Sequence, residues 1–238
     1  MSTWPTALIV GAGPGLGLAL ARRFGREGFA IALVARREAT LSELAAPLAS
    51  LGPRLKTYCA DAANPASVKE VCAATLRDLG EPSVLIYNAG SYQPGGIADI
   101  TPEQFETAWK TGCMGAFLFA RELLPAMADA GRGTILLTGA TAALRGGKGF
   151  ATLAVSKFGL RALGQSMARE YGPQGVHVAH VVIDGQIDTP RLRERDPGRS
   201  DHTLLAPDAV AESYWQLHCK EPTAWTQELD LRPAVERF

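Results

Sequence analysis

Residues 7–20 read ALIVGAGPGLGLAL. Four apolar residues run into a glycine cluster, VGAGPGLG (10–17), and a helical pattern begins inside it at Leu16. The apolar run reads as a buried strand and the glycines as a sharp turn into a helix. Without a Cβ, backbone can approach another group closely, and the N–H groups opening a helix favour an anion. A turn of this kind can be purely structural, or it can receive the phosphates of a dinucleotide. The common fingerprint GxGxxG does not fit, because Leu16 stands at its third glycine. The pattern G-x-x-x-G-x-G does fit, through Gly11, Gly15 and Gly17.

The same strand-then-helix alternation continues outward from this turn. FAIALVA (29–35), LKTYCA (55–60), VLIY (84–87), GTILLT (133–138) and VHVAHVVI (176–183) read as strands, with QELDLR (227–232) as a candidate last one. Helices are predicted over 16–24, 38–51, from the Asn64-Pro65 cap to 79, over 152–171 and over 208–218. Another opens at Thr101-Pro102-Glu103-Gln104, an N-cap, a proline at N1 and a capping-box glutamine, and extends to 130. Strands this apolar, each followed by a helix, predict a parallel sheet covered on both faces. That is the doubly wound α/β architecture, the Rossmann fold, whose ligands sit beyond the carboxyl ends of the strands. At 238 residues the chain suits one domain, 1–238. RLRERDPGRSD (191–201) is the one long polar run and reads as a mobile loop or lid, or as an ordinary solvated connection. It falls within 185–218, the candidate substrate loop and lid.

Composition removes several classes of function. Lys plus Arg and Asp plus Glu both number 24, so the chain has no net charge to draw nucleic acid or an anionic membrane. No apolar run reaches the length of a membrane span, and MSTWPTALIV has no basic n-region or cleavage site, so no leader is expected. Cys59, Cys72, Cys113 and Cys219 form no C-x-x-C pair and read as buried, reduced thiols of a cytoplasmic protein. The four histidines show no HExxH or H-x-x-x-H spacing, so no metal site is assigned.

Positions at the strand ends sharpen the dinucleotide reading. About twenty residues past the glycines, the second strand runs into Ala35-Arg36-Arg37, where NAD-binding chains place an acid for the ribose 2′-hydroxyl. Arg36 and Arg37 would instead meet a 2′-phosphate, so NADP is expected in preference to NAD. Asp61 follows the third strand and Asn88-Ala89-Gly90 the fourth, on the same sheet edge.

With these motifs in order, the chain resembles the short-chain dehydrogenase/reductase family over nearly all its length. The family's T-G-x-x-x-G-x-G reads as Val10-Gly11 to Gly17, with Leu16 inside it, and its N-N-A-G as Tyr87-Asn88-Ala89-Gly90. The resemblance implies adenine recognition by Asp61, ribose binding by Lys157, and nicotinamide contacts from Ile187 and Thr189 after Asp184-Gly185. It also implies a small-molecule substrate and a homodimer or homotetramer, and the small and apolar helical stretches 112–130 and 152–167 agree with the latter.

The family reduces carbonyls with asparagine, serine, tyrosine and lysine acting together. By spacing, these fall on Gly112, Ala140, Leu153 and Lys157, so only the lysine is retained. Leucine and alanine cannot donate a proton, and losing positioned acid catalysis costs roughly 10²–10⁴-fold. The related enoyl reductase pattern needs tyrosine at position 150, which is Phe150. Thr141 and Tyr92 are the substitute candidates beside Lys157, with Thr138 and Thr152 nearby. The expected function is an NADP-dependent oxidoreductase with an altered site, acting on an apolar carbonyl or activated alkene walled by Met114, Phe150 and Leu153. The alternatives are a catalytically silent NADP(H)-binding sensor and a structural subunit paired with an active relative.

Overall fold

A strand made mostly of apolar residues must be covered on both sides, and β1 (Thr6–Val10), buried along its whole length, shows the result. Its side chains alternate: Ala7 and Ile9 enter one core, Leu8 and Val10 the other. In the computed structural model, which describes residues 4–236, the same rule repeats in the central strands of the sheet. Residues 1–3, at the start that reads as leaderless, and 237–238, at the end of the single-domain span, lie outside the described residues.

After β1 come α1 (Leu16–Arg26), β2 (Ala30–Ala35), α2 (Glu38–Ala45), β3 (Leu55–Cys59), α3 (Pro65–Leu79) and β4 (Pro82–Tyr87). The second half carries α4 (Pro102–Trp109), α5 (Gly115–Asp129), β5 (Gly133–Thr138), α6 (Ala151–Tyr171) and β6 (Val176–Ile183). The chain then adds β7 (Gln186–Ile187), α7 (Pro190–Arg195), β8 (Leu204–Leu205), α8 (Pro207–His218) and β9 (Glu228–Leu231). Seven parallel strands form one sheet in the order β3-β2-β1-β4-β5-β6-β9, while β7 and β8 pair separately. The order reverses between β1 and β4, which is where such sheets open a ligand crevice.

One face is covered by α1, α2 and α8, through Leu20, Phe24, Leu41, Leu44, Tyr214 and Leu217. The other is covered by α3, α5 and α6, through Val68, Phe119, Leu123, Leu160 and Met167. Each such fully buried side chain contributes about 1.5–3 kcal/mol relative to exposure, so the two layers hold the strand ends in fixed register. The expected caps are present: Asn64 accepts from the Ala66 and Ser67 amides at 2.9 and 3.1 Å, and Thr101 and Gln104 form a reciprocal capping box.

Several expectations require correction. The helix predicted to 51 ends as α2 at Ala45 and continues as tight 3₁₀ turns, broken by Gly52 at φ +53° beside Pro53. The helix predicted over 101–130 is interrupted by a π-helical turn, Lys110–Met114, between α4 and α5. The polar run 191–201 begins in helix: Thr189 caps α7 by accepting from the Leu192 amide at 3.2 Å. Arg193 then ties the run down, pairing with Asp188 at 2.6 and 2.7 Å and with Asp201 at 2.6 Å. Within 185–218, α8 is a core element and not a lid, since Val210, Ala211, Tyr214 and Leu217 are buried. Two of the four cysteines expected to be buried, Cys59 at the end of an edge strand and Cys219 after α8, are exposed.

Candidate active site

The strand ends at the crevice are locked together by backbone. Gly11 and Ala12 both donate to the Val34 carbonyl at 2.9 Å, and the Asn88 amide donates to Val10 at 2.8 Å. The Asn88 side chain returns a bond from Nδ2 to the Gly11 carbonyl at 2.9 Å. Gly11 has φ +90°, and a Cβ there would sit 2.4 Å from the Ala89 nitrogen, so no other residue fits. Gly15 and Gly17 serve contact too: a Cβ would meet the Thr189 methyl at 2.5 Å or the Ala12 Cα at 2.9 Å. Gly13, by contrast, faces open space.

The open space is a cleft of about 250 Å³. Gly11, Arg36, Arg37, Asn88, Ala89 and Gly90 line it, together with Ala12, Gly13, Pro14, Thr40, Ala60 and Thr111, which sequence reasoning missed. Gly13 and Pro14 lie between the fingerprint glycines, and that position was the available signal. Gly15, Leu16, Gly17 and Asp61 are not in the lining. The Leu16 side chain is buried in the core, and the Asp61 carboxylate accepts from the Ala63 amide at 2.9 Å, shaping the turn into α3. Arg36 and Arg37 are exposed at the cleft, and no carboxylate of the described residues pairs with them.

A second cleft, about 510 Å³, opens at the ends of β5 and β6. Tyr92, Ile187 and Thr189 border it, with Thr138, Gly139, Ala140, Ile183, Arg191, Leu192 and Arg195. Its apolar surface comes from Ala140, Ile183, Ile187 and Leu192. The anticipated walls Met114, Phe150 and Leu153 do not line it; Met114 packs into the α3–α5 core and Phe150 stacks on Tyr92.

Lys157 stands between these features. It does not reach out to solvent: the residue is 5% exposed, and Nζ donates to the Thr138 carbonyl at 2.6 Å. A Cβ on Gly90 would lie 3.5 Å from that nitrogen, which places the ammonium against the fourth-strand loop. Burial pushes the lysine pKa down to about 8, against an opposing pull from the Cys113 thiol.

Four hydroxyls were candidates to replace the missing acid, and three of them are engaged internally. Thr138 bonds Tyr214 at 2.8 Å, and Thr141 donates to Asp184 at 2.5 Å, whose other oxygen pairs with Arg232 at 3.2 Å. Thr152 donates to the Gln93 carbonyl at 2.9 Å and clasps that loop to α6. Tyr92 is different. Its ring stacks on Phe150 at 5.0 Å, and its phenol is exposed with a long 3.4 Å contact to the Gly149 carbonyl.

The residues around Gly112 pack as a unit. Tyr87 is buried and donates to the Thr111 carbonyl at 2.5 Å, under the π turn; burial raises its phenol pKa. Gly115 makes room for it, because a Cβ there would lie 2.1 Å from the phenol oxygen. At Gly112 a Cβ would come within 2.0 Å of the Ser156 hydroxyl, which is buried and has no hydrogen-bond partner among the described residues. Behind Ala140, the Gly139 backbone abuts His180, whose other ring nitrogen meets Glu228 at 3.1 Å; Arg161 holds that carboxylate at 2.6 and 2.7 Å. Among the described residues, no helix is long and apolar enough to cross a membrane, and no cluster of His, Cys, Asp or Glu is arranged to hold a metal.

Comparison with known proteins places this architecture. The family model described as short chain dehydrogenase matches residues 5–200, and the chain belongs to that family. A short-chain dehydrogenase/reductase of Armillaria gallica is 30% identical over 187 residues, covering 77% of this chain and 71% of the relative. The crystal structure of a short-chain dehydrogenase from Rhodopseudomonas palustris superposes with a TM-score of 0.79 at 36% identity, covering 96% of this chain and 98% of that one. An alcohol dehydrogenase from the archaeon Thermococcus sibiricus, solved with 5-hydroxy-NADP, gives a TM-score of 0.87 at 26% identity and 98% coverage of both chains.

Proposed function

We propose that the protein is an NADP-dependent oxidoreductase of the short-chain type whose proton donor has been replaced. The observation that carries this reading is Lys157, kept buried and hydrogen-bonded between the two clefts while the tyrosine and serine positions hold Leu153 and Ala140. The chain's residues fit the dinucleotide: Gly11, Gly13 and Gly90 line one cleft without side chains, Gly13 faces open space, and two unpaired arginines stand at its rim. Gly11, Gly13, Asn88 and Gly90 would hold the phosphates and ribose, Arg36 and Arg37 the 2′-phosphate, and Lys157, Ile187 and Thr189 the nicotinamide side. When bound, the cofactor supplies a hydride. We assign the matching proton to Tyr92, which borders the second cleft with an exposed phenol that water would reprotonate. The segment 185–205 covers the second cleft as a substrate loop. The unbridged, exposed Cys59 and Cys219 fit a reducing, cytoplasmic setting.

The silent-sensor reading has its own support, because Thr138 already satisfies Lys157 and three of the four candidate hydroxyls are engaged. NADPH titration alongside NADPH oxidation over panels of carbonyls and activated alkenes separates the two. Turnover of any panel member supports the enzyme, and tight binding without turnover supports the sensor. Absence of NADPH binding overturns both.

We also propose a homodimer or homotetramer. Phe105 and Trp109 on α4, Phe117 on α5, and Val155 and Phe158 on α6 are 39–45% exposed, an apolar surface that monomers seldom leave in water. Light scattering at micromolar concentration is expected to give at least twice the 25.2 kDa chain mass; a monomer would contradict the proposal.

A further inference from the structure

The arginines of α7 divide into two sets. Arg193 is held by Asp188 and Asp201, and Arg199, just beyond the helix, reaches Asp196 at 4.0 Å and Gln186 at 3.2 Å. Arg191 and Arg195 have no ion-pair partner among the described residues, and both line the second cleft. Spaced i and i+4, they occupy one face of the helix, with Cβ atoms about 5–6 Å apart. Neither is neutralised by Glu194, exposed on the same helix, and no aspartate or glutamate lines the cleft. Ala140, Ile183, Ile187 and Leu192 give the same cleft an apolar lining.

We infer that this cleft takes an amphipathic substrate, an apolar body carrying the reacting carbonyl or alkene and ending in a carboxylate or phosphate that Arg191 and Arg195 bind together. The inference rests on the proposed oxidoreductase reading for which end reacts, but the anion site stands on the arginines themselves. Two guanidinium forks can meet one anion through several charge-assisted bonds. Arg193 meanwhile fixes the helix that carries them, so the pair is presented without further ordering of the loop. The net charge of the chain, zero, hides this local excess.

The test uses 4-phenylbutyrate, 4-phenylbutyl phosphate and the neutral 4-phenylbutanol as probes, titrated into the full chain with and without saturating NADPH. Both anions are expected to bind at least about 10-fold tighter than the alcohol, and R191A/R195A to erase that preference. R191K/R195K, keeping charge without the fork, should restore part of it. Preference for one anion over the other identifies carboxylate or phosphate as the natural terminus. Equal binding of alcohol and anions, or a preference that survives R191A/R195A, would overturn the inference. So would R191A/R195A weakening NADPH as much as the anions, which would assign the arginines to the cofactor's diphosphate. Failure of NADPH to bind would refute the oxidoreductase reading while the arm without NADPH still decides the anion site.

Discussion

Replacing Arg36 with Asp and Arg37 with Ser is expected to weaken NADPH binding by about 30-fold or more, or about 2 kcal/mol, while leaving NADH affinity unchanged or improved. Both side chains are exposed at the first cleft, and no carboxylate of the described residues pairs with them. Their removal therefore strands no buried charge, and the fold should be unaffected. The effect is selective because only the 2′-phosphate distinguishes the two cofactors. The aspartate additionally repels that phosphate and accepts from a free ribose hydroxyl, so preference should invert rather than merely fade. Fluorescence titration of both cofactors against both proteins reads the result. Equal NADPH and NADH affinities in the unaltered protein would contradict the assigned role of the arginines.

Rebuilding the family's proton-donating constellation is expected to raise carbonyl reductase activity by roughly 10²–10⁴-fold over the starting protein. The structure dictates how this must be done. Leu153→Tyr and Ala140→Ser install the acid and the oxygen-orienting hydroxyl beside Lys157, whose ammonium would lower the new phenol's pKa. Gly112→Asn cannot be made alone, because its Cβ would lie 2.0 Å from the Ser156 hydroxyl. Ser156→Ala removes that clash and discards a buried hydroxyl that has no hydrogen-bond partner among the described residues, leaving only the 3.3 Å approach of its Cβ to be absorbed. Thermal melting and NADPH titration come first, since tyrosine at 153 adds volume to a packed helix. The gained activity should vanish when Lys157→Ala is added. A folded, NADPH-bound quadruple variant inert toward a broad carbonyl panel would count against the placement of the site. Efficient ketone reduction by the unaltered protein would refute the altered chemistry, and Tyr92→Phe would then show whether that phenol carries the proton.

Much of this protein is local physics and is therefore legible in the chain. Alternation along a mostly apolar strand, a capping box at Thr101, an asparagine cap at Asn64 and a glycine turn after β1 involve residues within a few positions of one another. Such signals require no knowledge of what packs above them, and they determine the parallel sheet and the edge where a ligand sits. Laid against the family's pattern, the spacing also puts the lysine at Lys157 and leaves Gly112, Ala140 and Leu153 where its three partners are expected.

What the chain could not show depends on contacts between distant residues. Thr138 and Thr141 read as spare hydroxyls until the fold brings Tyr214 and Asp184 to them, 76 and 43 positions away. Arg191 and Arg195 look no different from Arg193 in a polar run; only the folded helix turns two toward the cleft and pairs the third with carboxylates. Tyr87 appears as a lost asparagine, yet in three dimensions its phenol braces the π turn through Thr111, 24 positions on, in space left by Gly115. Fold class follows from the order of short-range preferences. Which hydroxyl is free, which charge is unpaired and which glycine faces the ligand are decided by what the tertiary structure places opposite each group, because hydrogen bonds and ion pairs act only within a few ångströms.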